Sequence, residues 1–326
     1  MTDISMIRAA AQRSAGKVRH TPLLSSPFLD EIAGRRVLIK PECLQHTGSF
    51  KFRGGYSAVS ALEPTVRAHG VIAFSSGNHA QGVALAAKMH GVEAVIVMPS
   101  DAPALKIANT RAFGAEVVLY ERGSEDRDVI GAQLAEERGL TLIKPFDEPQ
   151  VIAGQGTCGL EIAAQAADHG VVEADVLICC GGGGLTSGVA LALEAEAPGL
   201  RPRTVEPEYF DDVARSLASG KIEANERQTG SLCDAIITPK PGDITFPIMN
   251  RLCGPGLVVS EDDAMRAVAL AFQRLKLVAE PGGAVALAAA LFQGAEIEGD
   301  TVIAVISGGN IDGEVFAKAL ATLEAS

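Results

Sequence analysis

Tryptophan is absent from the 326-residue chain, and aromatic residues of all kinds make up only 4% of it. Stacking platforms for nucleobases or sugars are therefore not advertised. Basic runs are missing too, and the formal net charge is −12. That balance excludes a surface built to follow the phosphates of a nucleic acid. No apolar run approaches the roughly 18 residues of a membrane span. The N-terminal stretch MTDISMIRAAAQRSAG lacks the apolar core and cleavage site of a signal peptide and reads instead as an amphipathic helix. We expect a cytoplasmic protein with no membrane and no nucleic-acid partner. The six cysteines, at 43, 158, 179, 180, 233 and 253, form no C-x-x-C pair, and the six histidines show no H-E-x-x-H spacing. A zinc knuckle, a redox dithiol and a histidine metal site fall away with them. Cys179 and Cys180, neighbours on a strand, must point to opposite faces. We expect all six to be reduced and mostly buried.

What is there is an ordinary globular composition, 47% hydrophobic with 35 glycines, in a chain long enough for two domains. Short apolar runs alternate with Ala-rich helical ones. The strand candidates are GVIAFSS (70–76), EAVIVMP (93–99), AEVVLYE (115–121), LTLIKP (140–145), DVLICC (175–180), RTVEPE (203–208), LVVS (257–260) and TVIAVIS (301–307). Strands apolar on both faces, spaced by helices, predict parallel sheets covered on both sides. PFDEP (145–149) is the candidate hinge between two such sheets, and the loop-like region 221–246 reads as an active-site flank.

Three turns carry chemistry. ICCGGGGLTSGVALAL (178–193) runs from a strand through four glycines into a helix. Consecutive glycine amides and a helix start make a cradle for an anion, most naturally a phosphate. A side chain at Gly183 is expected to crowd that anion. Glu206 stands where a ribose-binding acid would follow a dinucleotide turn, but the G-x-G-x-x-G spacing fails at Thr186 and Ser187, and no GK[ST] occurs. SSGNHAQGVALAA (75–87) places Ser75, Ser76 and Asn78 before a helix whose free amides suit a carboxylate. His79 by itself reads as a satisfied core or capping histidine. VISGGNIDG (305–313) ends a third strand on Ser307. In HTGSFKFRGG (46–55), finally, Lys51 lies between two phenylalanines. A desolvated ammonium loses proton affinity and becomes an amine able to form an imine. One lysine, one phosphate cradle, one carboxylate turn and a hydroxyl at a strand end share a solution, pyridoxal 5'-phosphate held by Lys51.

The ordered set TPLL (21–24), GSFKFRGG, SSGNHAQG, AGQGT (153–157), GGGG, EPE, EPGGA (280–284) and SGGN spans nearly the whole chain. It resembles the fold-type II, tryptophan-synthase β-like pyridoxal-phosphate enzymes, and among them the serine/threonine dehydratases and serine racemases. The resemblance implies an α/β fold of two open, mostly parallel twisted sheets, each flanked by helices, with the cofactor in the cleft between a large and a small domain. We expect the large, discontinuous domain at 1–69 and 148–326, the small substrate-closing domain at 70–147, and a homodimer. No regulatory domain is expected after residue 326.

By the same resemblance Lys51 is the Schiff-base lysine, Phe50 packs beside the ring, Asn78 meets the phenolic oxygen, Gly181, Gly182, Gly183 and Gly184 hold the phosphate, and Ser307 bonds the pyridine nitrogen. Ser75, Ser76, Asn78 and His79 take the carboxylate of a small amino-acid substrate. The implied reaction is β-elimination of water from L-threonine or L-serine, giving a 2-oxo acid and ammonia, with Lys51 as base. A neutral hydroxyl at Ser307 makes the ring a weaker electron sink than an aspartate would, which favours elimination. Alternatives stay open. Ser76 matches the residue that works on the second face in serine racemases, and SSGNH also resembles enzymes for 3-hydroxyaspartate. Arg127 matches a family arginine near the pocket and could meet an acidic side chain, or be a surface arginine paired with Glu125 or Asp126. EPEYFDD (206–212) resembles the family's Mg²⁺ or Ca²⁺ site, with Glu206, the Phe210 carbonyl and Asp212, or is a solvated acidic turn. Phe146 and the CDA stretch (233–235), where Ala-Asp-Gly is commoner, depart from the racemase pattern and the usual ring contact respectively. A β-replacement enzyme or a non-catalytic cofactor-binding protein is the remaining alternative.

Overall fold

The computed structural model describes residues 2–323 apart from Ser76, Pro103 and Arg122. Its strands form two sheets. Six strands, β1 (Leu24–Ser25), β2 (Arg36–Pro41), β10 (Thr301–Ile306), β7 (Ala174–Cys179), β8 (Leu200–Pro207) and β9 (Leu257–Val259), lie side by side in that order. Only the β1–β2 pair is antiparallel. The second sheet is wholly parallel, in the order β5 (Glu116–Tyr120), β4 (Ala94–Pro99), β3 (Val71–Phe74), β6 (Thr141–Leu142). The near-continuous apolar runs have the reason expected of them. β4, β7 and the last five residues of β10 are buried on both faces.

Each strand candidate meets a strand, though 140–145 shrinks to Thr141–Leu142. β2 is not among those candidates, and its RVLIKP carries a lysine where a doubly buried strand should be apolar. Lys40 is nevertheless fully buried. Its Nζ donates to Glu161 Oε2 at 2.6 Å, the Thr21 carbonyl at 2.6 Å and Gln165 at 2.9 Å.

That lysine belongs to a buried cluster that fixes the helix Lys51–Ala61. Arg53 grips Glu42 with both arms of its fork, at 2.6 and 2.8 Å, and Glu161 at 2.7 and 2.9 Å. Thr21 Oγ1 donates to Glu42 at 2.6 Å. Two cations and two carboxylates therefore neutralise each other away from water. The Arg53 guanidinium holds the Glu42 carboxyl below its ordinary range, against the opposing effect of burial. The same helix is squeezed from two sides through glycines. A Cβ on Gly154 of the helix Pro149–Asp168 would come within 2.5 Å of the Arg53 carbonyl, and one on Gly82 of the helix Asn78–His90 within 3.0 Å of the Lys51 backbone. The AGQGT stretch is thus a packing device, since only bare backbone lets those helices approach.

Replacing Arg53 with methionine leaves Glu42 buried and unpaired, which should lower unfolding free energy by about 3–5 kcal/mol. Adding Glu42→Gln should recover part of that. Urea unfolding of both variants checks it, and a loss under about 1 kcal/mol for Arg53→Met would show that the cluster is dispensable.

Candidate active site

The segment before Lys51 is pinned to the end of β10. Phe50 N–H donates to the Ser307 carbonyl at 3.1 Å, and Ser49 bridges Gly308. Lys51 then opens its helix, and its side chain enters a cavity of about 380 Å³ between the two sheets' helices. Nζ donates to the Pro145 carbonyl at 2.8 Å and lies 5.2 Å from the centre of the Phe50 ring. Burial with no carboxylate partner pushes the ammonium down to about 8. A carbonyl and an aromatic ring, with no carboxylate, are the setting a desolvated amine needs.

His79 lies on the same wall. Its Nε2 is 2.8 Å from the Ile143 carbonyl, which only accepts, so Nε2 carries the proton, and Nδ1 has no partner among the described residues. Burial, with Lys51 nearby, pushes the ring down to about 3 and keeps it neutral. Ile143 and Pro145 lie on the one segment that leads from β6 to the helix Pro149–Asp168, so both bases hang from it.

Across the cavity, Gly181 to Gly184 follow β7 and start the helix Gly184–Glu196. No described residue accepts a hydrogen bond from the amides of Gly181, Gly182 or Gly183. The loop is stiff: the Gly182 carbonyl accepts from Thr245 Oγ1 at 2.6 Å and from Gly242 N at 3.2 Å. Phe146 covers it so closely that a Cβ on Gly182 would sit 2.3 Å from the ring. The turn adds its own reason for glycine at 183: its φ is +89°, and a Cβ there would come 2.4 Å from Met249 Cε, the flexible end of a side chain that would have to shift.

The third wall is the turn at 75–79. Ser75 N–H donates to the Val97 carbonyl at 3.3 Å, and its Oγ accepts from Gly77 N at 3.2 Å. Asn78 starts the helix Asn78–His90 and faces the cavity with Ser75 and His79. Its amide is already engaged, Nδ2 with Glu280 at 2.7 Å and Oδ1 with Asn310 at 2.7 Å. Ser76 lies outside the described residues. Ser307 is buried at the end of β10 beside the Cys179 thiol, which does reach the cavity.

Arg127 opens the helix Arg127–Arg138 at the cavity mouth. It pairs with neither Glu125 nor Asp126. Its one described ion pair is with Asp128 at 3.6 Å, and Asp126 instead caps the helix. Lys106 and Asp234 also line the mouth and meet at 3.2 Å.

Glu206, Phe210 and Asp212 are brought together, but away from this cavity and almost without solvent. Glu206 accepts from the amides of Val213 at 3.0 Å and Ala214 at 2.7 Å, at the start of the helix Asp212–Ser219. Asp212 Oδ1 accepts from Asn225 at 2.5 Å, and Oδ2 has no partner among the described residues. Burial raises both carboxyls, Asp212 to about 7 and Glu206 well above its ordinary range, where Asp212 adds to the effect. A solvated turn is therefore ruled out. Among the described residues no group of three histidine, cysteine or acidic side chains converges on a metal.

Sequence reasoning gave no role to Glu280 or Asn310. EPGGA and SGGN were visible as motifs, but nothing in either shows that their polar side chains close on Asn78. All six cysteines are free, four of them buried. Among the described residues no helix is long and apolar enough to cross a membrane.

Comparison with known proteins agrees with this geometry. The family described as "Pyridoxal-phosphate dependent enzyme" matches residues 15–308. An L-threo-3-hydroxyaspartate ammonia-lyase of Pseudomonas sp is 43% identical over 95% of this chain and 96% of its own length. The crystal structure of a T.th. threonine deaminase superposes with a TM-score of 0.89 at 46% identity, covering 95% of this chain and 99% of that one. The structure of maize serine racemase gives 0.90 at 35% identity, covering 99% and 98%. The free glycine amides and the desolvated lysine on facing walls are what a phosphate and an aldehyde on one cofactor require. This chain belongs to the pyridoxal-phosphate dependent enzymes.

Proposed function

We propose that the chain removes water from a β-hydroxy amino acid, L-threonine or L-serine, and so yields a 2-oxo acid and ammonia. The carrying observation is the half-buried Lys51 amine, its pKa lowered to about 8, opposite glycine amides that have no acceptor among the described residues. Lys51 would hold pyridoxal phosphate, the amides of Gly181 to Gly184 its phosphate, Phe50 its ring face, Asn78 its phenolic oxygen and Ser307 its ring nitrogen. When bound, the cofactor supplies an electron sink for the pair left as the substrate's Cα–H bond breaks. Lys51, once released from the cofactor, takes that proton. Burial favours its neutral form, which a base needs. The turn at Ser75 to His79 orients the substrate carboxylate through amides at a helix start. The Ile143–Pro145 segment orients His79 by accepting from its Nε2 and gives the amine a carbonyl to rest on. The four-stranded sheet, residues 70–147, acts as the small domain that closes over substrate, and 1–69 with 148–326 as the large one.

A second reading is supported by the cations at the mouth. Lys106 and Arg127 suit a substrate with an acidic side chain, and the Pseudomonas relative is named for 3-hydroxyaspartate. Racemisation turns on Ser76. The discriminating experiment is a panel of L-serine, D-serine, L-threonine and the 3-hydroxyaspartates with wild type and Ser76→Ala. Elimination from the L-amino acids should persist in the variant, whereas serine racemisation should fall roughly 10²- to 10⁴-fold, the worth of one acid–base group. An unchanged ratio of the two would reduce Ser76 to carboxylate binding. Preference for 3-hydroxyaspartate over threonine, lost in Arg127→Ala, would establish the second reading.

The Glu206–Asp212 pair supports a structural Mg²⁺ or Ca²⁺ ion. Two buried carboxyls without a cation partner leave one oxygen unsatisfied, and the Phe210 carbonyl and water would complete the ligands. Chelation should lower the melting temperature, and either ion should restore it. A melting curve indifferent to chelator leaves a proton, shared by the pair, as the only occupant.

Borohydride reduction of the loaded enzyme should fix the cofactor to the peptide bearing Lys51 and to none in Lys51→Ala. Label on another lysine would sink the assignment. In the cofactor-free protein the sign of the pH effect is set by the lowered value. Lys51 sheds its proton at about 8 when folded and at its ordinary 10.5 when unfolded, so stability should rise with pH across that window. Lys51→Met should remove the rise.

A further inference from the structure

Glu280 is a buried acid with no part in the scheme above. It directly precedes Pro281, the first residue of the helix Pro281–Phe292, yet its side chain does not cap that helix. The carboxylate lies over Gly308, so close that a Cβ there would be 2.0 Å from Oε1. It is 3% exposed and forms part of the cavity wall. Its one described side-chain partner is Asn78, whose Nδ2 donates to Oε1 at 2.7 Å.

The direction of that contact is dictated from the far end of a chain of amides. The Thr47 carbonyl can only accept, so the Asn310 group 2.8 Å from it is the NH₂. That same nitrogen is 2.7 Å from Asn78, which must present its oxygen there. Asn78 is left with its own NH₂ turned to Glu280. One N–H of that group goes to the carboxylate, and the second has no acceptor among the described residues.

We propose that Glu280 is a positioning residue for the cofactor: its carboxylate fixes the Asn78 amide so that the free N–H serves the oxygen-bearing edge of the pyridoxal ring, and it places a negative charge one amide from that edge. The proposal rests on the cofactor reading given above. The charged or titratable groups facing Glu280 are Asp234, Lys106 on the helix Ala104–Ala112, and Cys43 behind it. None forms an ion pair with it among the described residues. Burial first, and Asp234 to a lesser degree, raise the carboxyl to about 7, while the Asn78 contact opposes them. Glu280 therefore gains its charge in the neutral range, and its hold on Asn78 strengthens as it does so.

The test uses the cofactor-loaded full chain and two readouts independent of turnover, cofactor affinity and the absorbance of bound cofactor against pH. Glu280→Gln keeps size and acceptor but no charge. It should bind cofactor and lose a spectral transition centred near 7 in the wild type. Glu280→Ala frees the amide and should lose roughly tenfold or more in affinity, the worth of one charge-assisted hydrogen bond. Asn78→Ala should cost as much, and the double variant little more, because the two residues act as one. A wild-type pH profile retained in Glu280→Gln, or losses that add fully in the double variant, would overturn the proposal; the glutamine variant decides the matter even if the alanine variants fold poorly. Borohydride fixation away from Lys51 would overturn the cofactor reading as well, and is seen before any Glu280 variant is made.

Discussion

Lys51 is held in place by charges it never touches. Arg53, two residues after Lys51, is locked between Glu42 and Glu161, and Glu161 is also held by Lys40 of β2. The helix that begins at Lys51 is thereby fixed to the central sheet and to the helix Pro149–Asp168. A buried ion pair gains little over an apolar replacement, because desolvation offsets most of the attraction. What it gives here is direction. A guanidinium fork accepts only one arrangement of two carboxylates, so the helix cannot slide or rotate without leaving charges unpaired. Apolar packing alone, with Gly54, Gly55, Gly82 and Gly154 at the crossings, would not resist that motion.

This arrangement separates two kinds of charge. Around Arg53 the four ionised groups balance, and the helix start faces the cavity with its own lysine unbalanced. Lys51 meets a carbonyl and an aromatic ring, His79 a carbonyl alone, and neither has a carboxylate near enough to hold its proton. Burial therefore dominates at both and drives both toward neutrality, with Lys51 adding to it at His79 and the Ile143 contact opposing it. A carboxylate beside Lys51 would have reversed this, by holding the ammonium charged and useless as a base.

Much of this was legible in the sequence, and the failures share a cause. The doubly buried strands read correctly because every residue had the same reason to be apolar. β2 did not, since Lys40 is buried by virtue of Glu161, about 120 residues away, and no local pattern carries that information. The glycine run read as an anion cradle, but nothing in it showed that Phe146, Thr245 and Met249 pack against it. AGQGT was visible as a motif and silent about purpose, because its glycines make room for the backbone of other helices. Lys51, Asn78 and the glycines were identifiable by type and setting, whereas Glu280 and Asn310 matter only through mutual orientation in three dimensions.

That last point bears on how the cavity keeps its polarity. Amides are ambivalent, able to offer oxygen or NH₂, and a site that needs a donor must prevent them from turning over. Here the constraint begins at a backbone carbonyl, Thr47, the one member of the series with no choice. Thr47 itself has φ +62°, an uncommon conformation for a residue with a branched side chain, so that carbonyl is held by a strained turn. From it the order runs through Asn310 to Asn78 and ends on a carboxylate that can accept whatever its protonation. Both ends of the chain are acceptors, and two amides between them have only one consistent arrangement. The direction of the Asn78 amide is thus a consequence of where the chain of contacts starts, and it would survive small shifts in any single distance.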